Sequence, residues 1–160
     1  MVAPIKINLN PSIPPLPRIQ DKTKINVRYI LISPYVSVHI YWNKEFGELI
    51  YELEEPSLDQ QEKELLKSLE KSLEEYINVN VVVEKNTESM IDYIDKPSKL
   101  LIEELGLKIS ETSYRKLFYY LFRDFVGMNQ IEPVMRDYFI EDIECNGVET
   151  PIYIIHRLYR

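Results

Sequence analysis

The 160-residue sequence holds a single cysteine, Cys145, so no disulfide can close within the chain and a secreted disulfide scaffold is excluded. Glycine is nearly as scarce: Gly47, Gly106, Gly127 and Gly147 stand isolated from one another. A phosphate-cradling loop needs clustered glycines and a lysine at a helix start, and a nucleophile elbow needs G-x-S-x-G. Neither pattern occurs. Basic residues are in deficit, with 19 Lys and Arg against 26 Asp and Glu and a net charge of −7. Nucleic-acid binding calls for a basic footprint that displaces phosphate counterions, so no nucleic-acid partner is expected. No run reaches the roughly 18 apolar residues of a transmembrane helix. The opening MVAPIKINLNPSIPP also lacks a signal-peptide core. A cytosolic protein is expected.

What is present reads as a folded chain, 45% hydrophobic and 28% charged. Its Glu, Lys, Ile and Tyr content suits a thermophile. Residues 1–25 carry Pro4, Pro11, Pro14, Pro15 and Pro17, which disfavour helix and predict an extended arm. That arm is either a loose terminus or a segment docked on a neighbour. Asn26–Ile32 is β-rich. Val36, Val38, Ile40 and Trp42 alternate with polar residues, and Leu49, Tyr51 and Leu53 alternate with glutamates. This is the period of an antiparallel meander with one buried face.

Ser57 and Gln60 form a capping-box pattern before the stripe Leu58, Leu65, Leu66, Leu69, Leu73 and Tyr76. A fourth strand is expected over Val79–Val83. The pattern from Asn86 is helical, interrupted by Pro97 and closed by Gly106. Ser110 then caps a helix with the stripe Tyr114, Leu117, Phe118, Leu121, Phe122 and Phe125, which ends at Gly127. A short helix near Gln130–Arg136 leads to a hairpin with a turn nucleated at Asn146-Gly147. The expected organisation is an α+β fold: an arm over 1–25, a β-β-β-α-β unit over 26–85, a helical segment over 86–127, and an incomplete sheet over 128–160.

No chemistry-bearing constellation emerges from these residues. His39 and His156 lie in different strands, without Cys, Asp or Glu at metal-ligand spacing, and a structural or surface role is expected for each. Glu141 and Asp142 are adjacent in a strand, so they point to opposite faces and make no acid–base pair. The aromatic stripe at Tyr114–Phe125 lacks the basic groove of a base-stacking surface and reads as helix core. Neither catalysis nor a metal or cofactor site is expected of this chain.

The terminal block YYLFRDFVGMNQIEPVMRDYFIEDIECNGVETPIYIIHRLYR resembles a signature of the archaeal type II/IV secretion ATPases, the motors of archaella and type IV pili. The resemblance is carried by Gly127, by Ile131-x-Pro133-x-Met135-x-Asp137, by the run through Glu141, Asp142, Ile143, Cys145, Asn146 and Gly147, and by His156, Arg157 and Tyr159. A looser upstream match runs from Tyr35 through the following strand to Tyr51 and the helix entry Glu55-Pro56-x-Leu58.

The resemblance implies that residues 27–160 are the amino-terminal part of a hexameric motor. Their last hairpin would open a second, PAS-like α/β subdomain. The remaining strands and an ATP- and Mg-dependent motor domain would follow Arg160. Its partners would be that motor domain and a polytopic membrane platform protein, at the cytoplasmic face of the membrane. The fragment itself is expected to be a monomer or weak dimer that acts as lever and docking surface. The arm, the outer face of the meander, and acidic residues within 57–85 facing basic platform loops are the expected contacts. A stand-alone adaptor is the alternative expectation.

Overall fold

The computed structural model describes residues 5–79 and 87–159. The fold is α+β, and the described residues form a three-stranded antiparallel sheet, four α-helices and a second, two-stranded sheet. The chain divides into two compact units that do not follow sequence order. One joins Met1–Lys6 to Pro56–Glu132; the other joins Ile7–Glu55 to Pro133–Arg160. The meander expected to fold with the helix after it therefore shares a unit with the terminal hairpin.

The helical unit packs α1 (Gln60–Val79), α2 (Thr87–Glu104) and α3 (Glu111–Phe125) against one another. The α1 cap is not Ser57 with Gln60, as the sequence pattern predicts, but Asp59 with Glu62. The Glu62 N–H donates to Asp59 Oδ1 at 2.8 Å and the Asp59 N–H donates to Glu62 Oε2 at 3.0 Å. Glu62 is buried and also receives Lys116 from α3 at 3.1 Å. Leu69 and Leu73 are buried as expected, whereas Tyr76 is exposed. Val79 ends α1 instead of opening a strand, and the rest of the expected Val79–Val83 strand lies outside the described residues.

Pro97 sits inside α2 without ending it, and the Ser98 hydroxyl donates to the Ile94 carbonyl at 2.6 Å. Gly106, at φ 63°, closes this helix in a Schellman arrangement. The Gly106 N–H reaches Glu103 O and the Leu107 N–H reaches Ile102 O, both at 3.0 Å. Ser110 caps α3 by accepting the Ser113 N–H at 3.0 Å. The α3 stripe from Tyr114 to Phe122 is buried, and Phe125 is half-buried.

In the other unit, β1 (Asn26–Ile32), β2 (Val36–Asn43) and β3 (Glu48–Glu54) form the expected meander. Its inner face buries Tyr29, Leu31, Val36, Val38 and Ile40. Asn43 builds the β2–β3 turn by accepting the Glu45 and Phe46 N–H groups, with Gly47 at φ 66°. The outer face carries a polar chain: Arg28 donates to Glu54 at 2.8 Å and meets His39 Nδ1 at 2.9 Å, while His39 Nε2 meets Asn26 Oδ1 at 2.7 Å.

From Ile7 onward the arm belongs to this same unit. Asn8 and Ser33 exchange two backbone hydrogen bonds at 2.9 and 3.0 Å, and the Pro17 carbonyl accepts the Tyr159 hydroxyl at 2.7 Å. A short helix, α4 (Glu132–Met135), precedes the hairpin of β4 (Ile140–Cys145) and β5 (Ile152–His156). Cys145 pairs with Ile152, so the connection is a six-residue loop, not the two-residue turn predicted at Asn146-Gly147. Gly147 at φ 130° and Glu149 at φ 65° shape that loop.

Candidate functional site

The most organised cluster of polar side chains in the sheet unit centres on Asp137, in the turn between α4 and β4. Its backbone N–H is held by the Val134 carbonyl at 3.1 Å, which turns the buried carboxyl inward. Asp137 Oδ2 accepts the hydroxyls of Tyr29 on β1 at 2.5 Å and Tyr51 on β3 at 2.8 Å. Its Oδ1 accepts the Phe139 N–H at 2.8 Å. One carboxyl group thus gathers two strands of the meander and the start of the hairpin.

His156, the last residue of β5, extends the chain of hydrogen bonds. Its Nδ1 accepts the backbone N–H groups of Leu158 and Tyr159, each at 3.2 Å. With Nδ1 an acceptor, the ring proton sits on Nε2, which donates to the Tyr29 oxygen at 3.2 Å. The imidazole is sandwiched between Phe139 and Tyr159, at centroid distances of 5.4 and 4.9 Å. Tyr29 meets Phe139 edge to face at 5.5 Å.

Burial, reinforced by Asp137, pushes the Tyr29 and Tyr51 phenols above the ordinary tyrosine range, so they stay protonated donors. Burial also holds His156 below its ordinary value, against the opposing pull of Asp137 and Glu141. The arrangement is a buried hydrogen-bonded lock: Asp137 accepts both phenols and the Phe139 N–H, and His156 joins it through Tyr29.

The residues marked by the resemblance divide between this lock and the surface. Asp137, His156 and Tyr159 converge in it. Pro133 is buried in α4, and Met135 is exposed there. Gly127 serves the helical unit: a side chain there would come within 2.8 Å of both the Arg123 carbonyl and the buried Glu132. Glu132 in turn accepts the Met128 N–H at 2.9 Å. Pro56 offers its carbonyl to the Tyr120 hydroxyl at 2.6 Å, and Glu55 and Tyr35 are half-buried.

On the hairpin, Glu141 faces Arg157 at 3.8 Å, and Arg157 lies over the Tyr138 ring at 4.5 Å. The Asp142 side chain accepts the Ile143 N–H at 2.9 Å, with Ile143 itself half-buried. Cys145 is an exposed free thiol, and Asn146 donates to Glu144 at 3.2 Å.

Tyr29 and Phe139 are members of the lock that sequence reasoning missed. For Tyr29 the available signal was a tyrosine at an inward strand position, where a buried phenol requires a partner.

Two open clefts border the lock. One, of about 290 Å³, lies between arm residues 10–14 and Tyr29, Leu31 and Phe139. The other, of about 330 Å³, runs along β4 between Val134, Met135, Ile140 and Ile143, with Glu141 and Asp142 at its rim. Among the described residues no group of three or more His, Cys, Asp or Glu side chains is placed to hold a metal ion, and no helix is long and apolar enough to cross a membrane.

No protein-family profile matches the chain. Over 105 residues, 66% of its length, the chain is 33% identical to the uncharacterized protein MJ1288 of Methanocaldococcus jannaschii. The match spans 41% of that relative's length.

Proposed function

We propose that this chain is a non-catalytic lever and docking module of an archaeal secretion-type motor ATPase, working at the cytoplasmic membrane face. The observation that carries the reading is the meeting of Asp137, His156 and Tyr159. Asp137 comes from one block of the terminal resemblance and His156 and Tyr159 from another, and they converge in one buried network. Their spacing is then a requirement of the fold, which is what a transferable signature should encode. The relative from an archaeon agrees with the archaeal setting.

In this reading ATP and Mg belong to the motor domain, and the present chain supplies surfaces whose contacts differ between two domain arrangements. The hairpin would belong to a PAS-like subdomain, and a platform protein would be the membrane-side partner. The test is to mix the purified chain with the Walker-motif motor domain encoded in the same genome. Complex mass by light scattering and ATP turnover would be measured together. A stoichiometric complex with altered turnover is expected. A chain that leaves both unchanged contradicts the motor reading and favours a separate adaptor.

A further inference from the structure

We infer that the free edge of β4 is a docking site for an extended protein segment in which apolar and basic residues alternate. The inference does not depend on the partner being a motor. β4 pairs only with β5 among the described residues, so among them its other edge is unpaired. An unpaired edge is a template for an added strand. At its centre the Ile143 N–H is engaged by the neighbouring Asp142 side chain at 2.9 Å, an exposed local contact that an incoming carbonyl can replace.

The ground beside this edge is shaped for side chains. The cleft of about 330 Å³ follows β4, with Val134, Met135, Ile140 and Ile143 as its apolar surface. Met135 is 51% exposed. A lone two-stranded ribbon is marginal in water, and here Ile152, Tyr153 and Ile155 on β5 are also exposed.

Register fixes which side chains the partner needs. Ile143 and Cys145 pair with Ile154 and Ile152 on one face; Asp142 and Glu144 pair with Ile155 and Tyr153 on the other. Among the described residues Glu141 is answered by Arg157, whereas neither Asp142 nor Glu144 meets a cationic side chain. An added strand shares this pleat, so its residues beside Ile143 and Cys145 should be apolar. Those beside Asp142 and Glu144 should be Lys or Arg, since directly opposed charges of unlike sign stabilise a pair and like charges oppose it.

The experiment titrates the ¹⁵N-labelled chain with two peptides of about six residues, the usual strand length, one alternating valine with lysine and the other valine with glutamate. The lysine peptide is expected to shift the Ile143 amide and slow its hydrogen exchange, and to bind about tenfold tighter than the glutamate peptide. In the chain carrying Asp142→Lys and Glu144→Lys, both at exposed positions, the preference should reverse. Equal binding of the two peptides overturns the inference, as does silence with both. Protection confined to the β5 edge, or self-association of the chain through β4, assigns the surface to another occupant and overturns it as well.

Discussion

The meander and the hairpin are both antiparallel ribbons, yet they are held by different physics. The central strand β2 alternates, and its inward residues Val36, Val38 and Ile40 are removed from water, so apolar burial sets the meander's register. The hairpin buries little: Ile152, Tyr153 and Ile155 are exposed, and Ile143 and Ile154 are half-buried. It is tethered at its base, where Asp137 and His156 reach the Tyr29 and Tyr51 hydroxyls. One ribbon has a core; the other has an anchor. A surface that must accept a partner benefits from the second design, because the apolar residues left uncovered remain available.

The comparison breaks most sharply at the anchor. Asp137→Ala strips the acceptor from two phenols and a backbone N–H. It should cost about 4 kcal/mol, given about 1–3 kcal/mol for each stranded buried donor and partial rescue by water. Urea unfolding measures the loss, and hydrogen exchange should show β5 amides opening before those of β2. Ile40→Ala attacks the core instead, at about 3 kcal/mol. Here β2 and β5 should lose protection together, because the anchor's tyrosines stand on the meander. Tyr51→Phe removes one of Asp137's three donors and should cost about 1 kcal/mol.

A pH dependence sharpens the contrast further. His156 in the folded chain lies below its ordinary value of 6.5 because of burial. Between the two values the unfolded chain binds more protons than the folded one. The contribution is therefore complete above pH 6.5 and is lost as pH falls through the folded value. Protonation would also turn Nδ1 from acceptor to donor against the Leu158 and Tyr159 N–H groups. Hairpin protection should decline on acidification below pH 6.5, and His156→Asn should remove that component of the decline. The smallest effect belongs to Glu141→Gln, whose partner Arg157 is exposed and 3.8 Å away. Its cost should stay below about 0.5 kcal/mol by thermal melting.

Local periodicity made the meander, the α3 stripe, the Ser110 cap and the Gly106 stop legible in the sequence, since each rests on residues a few positions apart. The α1 cap was displaced by two residues because Ser57-x-x-Gln60 and Asp59-x-x-Glu62 offer overlapping patterns, and only the second pair is reciprocal. Asn146-Gly147 pointed to a tight turn, but strand pairing stops at Cys145 and Ile152, and the connection takes Glu149 through positive φ. The lock was least legible. Tyr29 lies 108 positions from Asp137 and 127 from His156, and no local pattern links them. Asp137, His156 and Tyr159 stood out only through the terminal resemblance.

The most direct test of the anchor is a double-mutant cycle between Tyr29→Phe and Asp137→Ala, read by urea unfolding. If Asp137 holds the hairpin through the Tyr29 hydroxyl, the two losses should be non-additive by about 1–3 kcal/mol. Losses that add to within about 0.5 kcal/mol would mean the residues act independently, and the account of the hairpin as an anchored ribbon would be contradicted.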